Sequence, residues 1–440
     1  MEWSKLISDR RLGLEELHDL SSQMRSDFQR DFDRMIFSSP FRRLQNKTQV
    51  FPLPGSVFVH NRLTHSLEVS TVGRSMSREV LSRIEKNQPY SKDKEVVIHI
   101  PDIVATACLC HDLGNPPFGH SGEKTISTWF SEGPGRELEK LLSRQQWADL
   151  INFEGNANSF RLLTHQFVGR RKGGFAMTYS TLGTLVKYPW TSVNAGDKGK
   201  FGFFESEEDN YRKVAQWLGI PEISPGIFAR HPLVYLMEAA DDICYQIMDI
   251  EDSHRLGILT EQEASEYLLD FFESTRKDKL VRGMGYLDDP NEKIGYLRSN
   301  VIGTLVEQCA EAFIDNLNPI MAGESVKPLV NLIPQQQSNA YEACSKLAYN
   351  KIYCAPDVVD VDLAGSRIIN YLLDVLMDAV LHPEKNYNQL LLTKMPKQYD
   401  IAAPTLYGKI QSVLDHVSGM TDVYALDLFR KLNGHSLPAV

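Results

Sequence analysis

No run of about eighteen consecutive apolar residues occurs in the chain, so no segment is expected to cross a membrane as a helix. CxxC pairs are missing as well. The six cysteines, at 108, 110, 244, 309, 344 and 354, sit among mostly apolar neighbours, as in Ala107-Cys108-Leu109-Cys110. That pattern argues against a disulfide framework or a zinc ribbon and predicts buried, reduced thiols. The first residues, Met1-Glu2-Trp3-Ser4-Lys5, lack the apolar stretch of a signal peptide, so the cytoplasm is the expected location. Positive charge is in deficit, with 47 Lys+Arg against 57 Asp+Glu and a net charge of −10. A general polyanion-binding surface needs a local excess of cations, so nucleic-acid coating is disfavoured as the main role, while a small basic pocket is not. Internal repeats and low-complexity tracts are absent too. At 42% hydrophobic and 24% charged, the 440 residues exclude intrinsic disorder and a fibrous coiled coil. They are enough to bury a large core without metal or disulfide staples.

What remains reads as helix. Leu67, Val72, Met76, Val80 and Ile84 form one stripe and predict a helix over 64–86. A second is predicted over 101–113, opened by Pro101-Asp102 and stopped by Gly114. A third runs over 232–256, behind Pro232 and ahead of Gly257. Val358, Val361, Ile368, Leu372, Leu376 and Val380 predict a helix over 357–381, and two more follow at 405–416 and 421–432. Only 170–205, rich in Gly, Thr and Tyr, resists, and it suits a hairpin or a long site-forming loop. The expected fold class is all-α. Residues 1–256 would form a helical core carrying the 170–205 insert, and 257–440 a helical portion packed on it.

Five of the twelve histidines fall between positions 60 and 120. His111-Asp112 closes the apolar run Ile103–Cys110, and Asp241 follows Val234-Tyr-Leu-Met-Glu-Ala-Ala240. Buried or half-buried charge is costly unless paired or bound to a metal. Imidazole and carboxylate together suit Mn²⁺, Fe²⁺, Co²⁺ or Zn²⁺, and tolerate Mg²⁺ less well. Any one of these groups alone reads as a helix end satisfied by backbone; their coincidence favours a site.

His65, His111-Asp112 and Asp241 have the H…HD…D pattern and resemble the HD phosphohydrolase superfamily. Longer strings are more specific: His111-Asp-Leu-Gly-Asn-Pro-Pro-Phe-Gly-His-Ser-Gly-Glu123, Phe153-Glu-Gly-Asn-Ala157, Glu238-Ala-Ala-Asp-Asp-Ile-Cys-Tyr245 and Gly419-Met-Thr-Asp-Val-Tyr-Ala425. They resemble the bacterial deoxyguanosine triphosphate triphosphohydrolases over nearly the whole chain. The resemblance implies an HD-domain helical bundle holding one divalent metal ion per subunit, with Mg, Mn and Fe as candidates, on His65, His111, Asp112 and Asp241. It implies attack at the α-phosphorus of a dNTP, dGTP by preference, releasing the deoxynucleoside and inorganic triphosphate. The leaving group is an alkoxide, so a proton donor matters. His120 is the candidate, with Glu123 three residues on and on the same helical face to orient it.

Asp241, Tyr245 and Asp249 are spaced i, i+4, i+8 along one face. By the same resemblance Tyr245 packs on the sugar where a 2′-OH would sit, while Asp249 and Gln49 meet the 3′-OH. Arg62, Lys187, Tyr188 and Lys200 match the phosphate contacts. Base choice is left to a few groups at the pocket floor, Tyr424 among the candidates. His165 is equally a neighbour of the metal ligands or a core residue. One departure concerns Phe153-Glu154-Gly155, near which the vertebrate deoxynucleotide triphosphohydrolases place a histidine; that role is left to Glu154 or another group. No appended recognition domain is expected at either end, so regulation of the vertebrate kind is not expected. Similar enzymes assemble as homo-oligomers, often tetramers or hexamers, and single-stranded DNA is a candidate effector. The competing readings are another HD-type nucleotide phosphohydrolase, which would not need Arg62, Lys187 and Lys200 together, and a non-catalytic HD regulator that binds single-stranded DNA.

Overall fold

The computed structural model describes residues 1–16, 25–51, 59–87 and 93–435. Within them the protein is all-α, with twenty-one α-helices and one two-stranded antiparallel sheet, Glu222–Ser224 against Ile227–Phe228. The predicted helices stand close to their expected limits, at Arg62–Asn87, Ile100–Cys110, Val234–Arg255, Pro356–Leu381, Leu406–Ser418 and Asp422–Leu432. Pro101 and Pro356 occupy first turns, where the missing N–H has no intrahelical partner to lose.

Three expectations need correction. Of the two forms expected for residues 170–205 the hairpin is excluded: Thr178 caps the seven-residue helix Tyr179–Leu185, all of it buried, and two 3-10 turns and irregular chain follow. Burial on every side overrides the weak helix propensity of its Thr, Tyr and Gly residues. Leu67 faces outward, and Val69 takes the buried place in the stripe with Val72, Met76, Val80 and Ile84. Five of the cysteines are buried, but Cys354 is exposed. None of the described helices is long and apolar enough to cross a membrane.

Two large apolar clusters organise the molecule. The first joins Arg62–Asn87, Ile100–Cys110 and Val234–Arg255 to Pro290–Asp315 through Val69, Met76, Val104, Ala240 and Leu305. The second joins Gly119–Ser131 to the last long helices through Ile126, Phe130, Ile369, Leu372 and Val413. The site lies where these two bodies meet. A buried ion cluster crosses the same seam. Arg161 binds both carboxylate oxygens of Asp415, at 2.8 Å each, and Glu207 at 2.6 Å. Arg161→Met strips two buried carboxylates of their cation, and about 3–5 kcal/mol of stability should be lost in urea unfolding, since the charges stay buried without their partner.

Candidate active site

His65 lies in the first turn of Arg62–Asn87, His111 caps the C-terminal end of Ile100–Cys110, and Asp241 lies early in Val234–Arg255. Their ligand atoms all fall within 4.8 Å of one another. Asp241 Oδ1 stands 3.2 Å from His65 Nε2 and 3.4 Å from His111 Nε2. Asp112, the fourth expected ligand, stands beside this group with Oδ1 3.6 Å from His111 Nε2. Its Oδ2 accepts a hydrogen bond from Arg62 Nη1 at 2.8 Å.

The donor set fits a divalent cation. His111 Nδ1 donates to the Cys108 carbonyl at 2.6 Å, which leaves the Nε2 lone pair available in the neutral ring. That nitrogen is buried without a hydrogen-bond partner among the described residues. Burial opposes the charge on Asp241, yet the imidazoles of His111 and His65 hold its carboxyl well below the usual range. Burial also opposes protonation of His111, but Asp112 and Asp241 more than offset it and push the imidazole up to about 9. Two imidazole nitrogens and one ionised oxygen, with a second carboxylate adjacent, form a cluster that attracts positive charge.

A cavity of about 270 Å³ opens beside these ligands. Gln49, Arg62, His111, Asp112, His120, Glu123, Lys187, Tyr188, Lys200, Asp241 and Tyr245 all line it. Sequence reasoning missed Asn115, Asn156 and Asp242, which line it too. Gln49 Oε1 is buried with no hydrogen-bond partner among the described residues. Asp249 is not a wall residue. It is buried behind Tyr245, burial pushes its carboxyl up to about 7, and its Oδ2 accepts from Tyr353 Oη at 2.7 Å. Tyr353 was invisible beforehand because a lone tyrosine gives no sign of what it will face. Tyr424 is exposed and does not line the cavity.

On the opposite wall His120 Nδ1 is 2.8 Å from Glu123 Oε2. His120 is 71% exposed while Glu123 is buried, so the imidazole reaches open space from a fixed anchor. The Glu123 hydrogen bond raises the affinity of His120 for its proton. Glu123 Oε1 also accepts from Gly155 N at 2.7 Å. A Cβ at Gly155 would lie 2.0 Å from Asn115 Oδ1 and 2.5 Å from Glu123 Oε1, which is why glycine follows Phe153-Glu154. Lys200 Nζ pairs with Glu154 Oε2 at 2.6 Å, and Lys187 Nζ lies 3.6 Å from Glu238 Oε1. Glu154 caps the Gly155–Thr164 helix, and its burial raises its carboxyl. His165 belongs to the Arg161 cluster, 3.4 Å from Glu207 Oε1, and takes no part in the cavity.

An H…HD…D group on three crossing helices, with a polar cavity against it, defines an HD-domain phosphohydrolase. Comparison with known proteins agrees: residues 62–151 match the HD domain and residues 332–431 the phosphohydrolase-associated domain. The chain is 36% identical to a deoxyguanosinetriphosphate triphosphohydrolase-like protein of Pseudomonas aeruginosa, over the whole of both chains. It is 37% identical to one so named from Synechocystis sp., over 99% of this chain and all of that one. It is 30% identical to a deoxyguanosinetriphosphate triphosphohydrolase of Yersinia enterocolitica, over 92% and 93% respectively. The protein belongs to the deoxyguanosinetriphosphate triphosphohydrolase-like family of HD-domain hydrolases.

Proposed function

We propose that the protein hydrolyses deoxynucleoside triphosphates, dGTP foremost, to the deoxynucleoside and inorganic triphosphate. The observation that carries this reading is the convergence on one cavity of the metal-ligand group, the His120–Glu123 pair and three cations. His65, His111 and Asp241, with Asp112 adjacent, would hold one divalent ion; Mg, Mn and Fe are the candidates. When bound, the ion supplies Lewis acidity to the phosphoryl centre.

The remaining chemistry falls to the protein. Arg62, Lys187 and Lys200, with Tyr188, take the phosphate oxygens. Arg62 offers a planar fork suited to them. A water oxygen bonds to the α-phosphorus as the bond to the 5′-oxygen breaks, which expels the deoxynucleoside as an alkoxide. His120, held through Nδ1 by Glu123, gives that oxygen a proton from Nε2. Tyr245, one turn from Asp241, fills the space a ribose 2′-OH would need, and the unpartnered Oε1 of Gln49 accepts from the 3′-OH, while Asp249 holds Tyr353 behind them. An assembly of four or six copies, and single-stranded DNA as an effector, belong to this reading on the family resemblance alone.

The test is a panel of the four dNTPs and GTP, incubated with Mn²⁺ or Mg²⁺, with products identified by mass. Deoxynucleoside and triphosphate should appear in equal amounts, fastest from dGTP, with GTP turned over poorly. Orthophosphate or pyrophosphate as the only inorganic product would overturn the reading.

A further inference from the structure

We infer that Asp422, from the far end of the chain, is a positioning residue for His120 and for the segment that carries Gln49. The inference rests on the proton-donor role proposed for His120. Asp422 is buried in the first turn of Asp422–Leu432. Its Oδ2 accepts from Thr48 N at 2.7 Å and Thr48 Oγ1 at 2.6 Å, and its Oδ1 accepts from Phe118 N at 2.9 Å. One carboxylate therefore ties the residue before Gln49 to the residue two before His120. A second strap runs parallel: the buried ammonium of Lys47 donates to the carbonyls of Asn115 and Ser418.

The strap at Phe118 holds a strained turn. Phe118 has φ 61° and ψ 21°, left-handed backbone that residues with a side chain rarely adopt. It sits at the N-cap of Gly119–Ser131 and offers no side-chain capping bond. Such geometry persists only where its surroundings over-determine it. Here Asp422 holds the N–H, and Gly365 of Pro356–Leu381 seats the ring; a Cβ at Gly365 would lie 2.5 Å from Phe118 Cγ. Two C-terminal helices thus set the angle at which the helix bearing His120 and Glu123 leaves the loop after His111-Asp112. Pro356–Leu381 and all but the last residue of Asp422–Leu432 lie within the stretch matching the phosphohydrolase-associated domain, residues 332–431. That region acts as part of the active-site frame.

A double-mutant cycle between Asp422→Asn and His120→Gln separates positioning from general structural damage. Asparagine keeps the size of the side chain but turns an amide N–H₂ toward N–H donors. D422N alone should lower kcat by about 10–100-fold, the usual effect of losing a partner one layer behind a reacting group. Its Mn²⁺ affinity, measured by titration, should stay within about twofold of wild type, since none of the ligands moves. In the H120Q background the further loss of kcat should shrink to about threefold or less. An equal fold loss in both backgrounds would overturn the inference while leaving the proton donor intact. H120Q with wild-type kcat would overturn the donor assignment, and the inference with it. Should D422N fail to fold, Gly365→Ala presses on Phe118 from the opposite side and should give the same pattern; a folded G365A with unaltered kcat overturns the inference equally.

Discussion

Replacing Asp241 by asparagine should lower dNTP hydrolysis on the order of 10³-fold or more and leave the purified protein with little bound metal. Asp241 Oδ1 faces both imidazoles, at 3.2 and 3.4 Å. The substitution removes the negative charge that helps raise the His111 imidazole. It also puts a weak amide ligand in place of the carboxylate between the two imidazoles. An ion is worth several kcal/mol of transition-state stabilisation, and each 1.36 kcal/mol off the barrier is about tenfold in rate, which sets the expected loss. Chelation of the wild-type enzyme should abolish activity, and Mn²⁺ should restore it. Asp241 is only half-buried, so D241N should melt near the wild-type temperature. A folded D241N with stoichiometric metal and wild-type turnover would sink the ligand assignment.

His120→Gln should lower kcat by about 10²–10⁴-fold, the usual contribution of a general acid, with KM changed far less. The pH profile carries the sharper signature. The hydrogen bond to Glu123 raises the affinity of His120 for its proton, so the imidazolium is the form that persists toward higher pH. A reaction that needs this proton runs at full rate below that raised value and declines as pH climbs through it. Glu123→Gln removes the charge but can still accept from Gly155 N, so the declining limb should move to lower pH. A limb that stays in place in E123Q would exclude His120 as its source.

The helices were legible because apolar spacing and proline or glycine punctuation are local signals. The stripe from Val72 to Ile84 and the Pro101 start both rest on residues within a turn or two of each other. The ligand group was legible only through resemblance: nothing local says that Asp241 meets His65 across 176 positions. Groups whose identity is ordinary stayed hidden. Tyr353 reaches Asp249 through a meeting of two distant helical segments, and Asp422 looks like any acidic first-turn residue until Thr48 and Phe118 are seen to point at it. Near 170–205 composition leaves a hairpin and a site-forming loop open; burial of the whole Tyr179–Leu185 helix decides against the hairpin, while Lys187, Tyr188 and Lys200 of the same segment line the cavity.

The cations around the cavity already have carboxylate neighbours: Arg62 with Asp112, Lys187 with Glu238, Lys200 with Glu154. On the proposed function, a polyphosphate arriving there would compete with these built-in carboxylates for the three cations. On the same reading, that arrangement would let an acidic protein select a small, densely charged guest at this cavity.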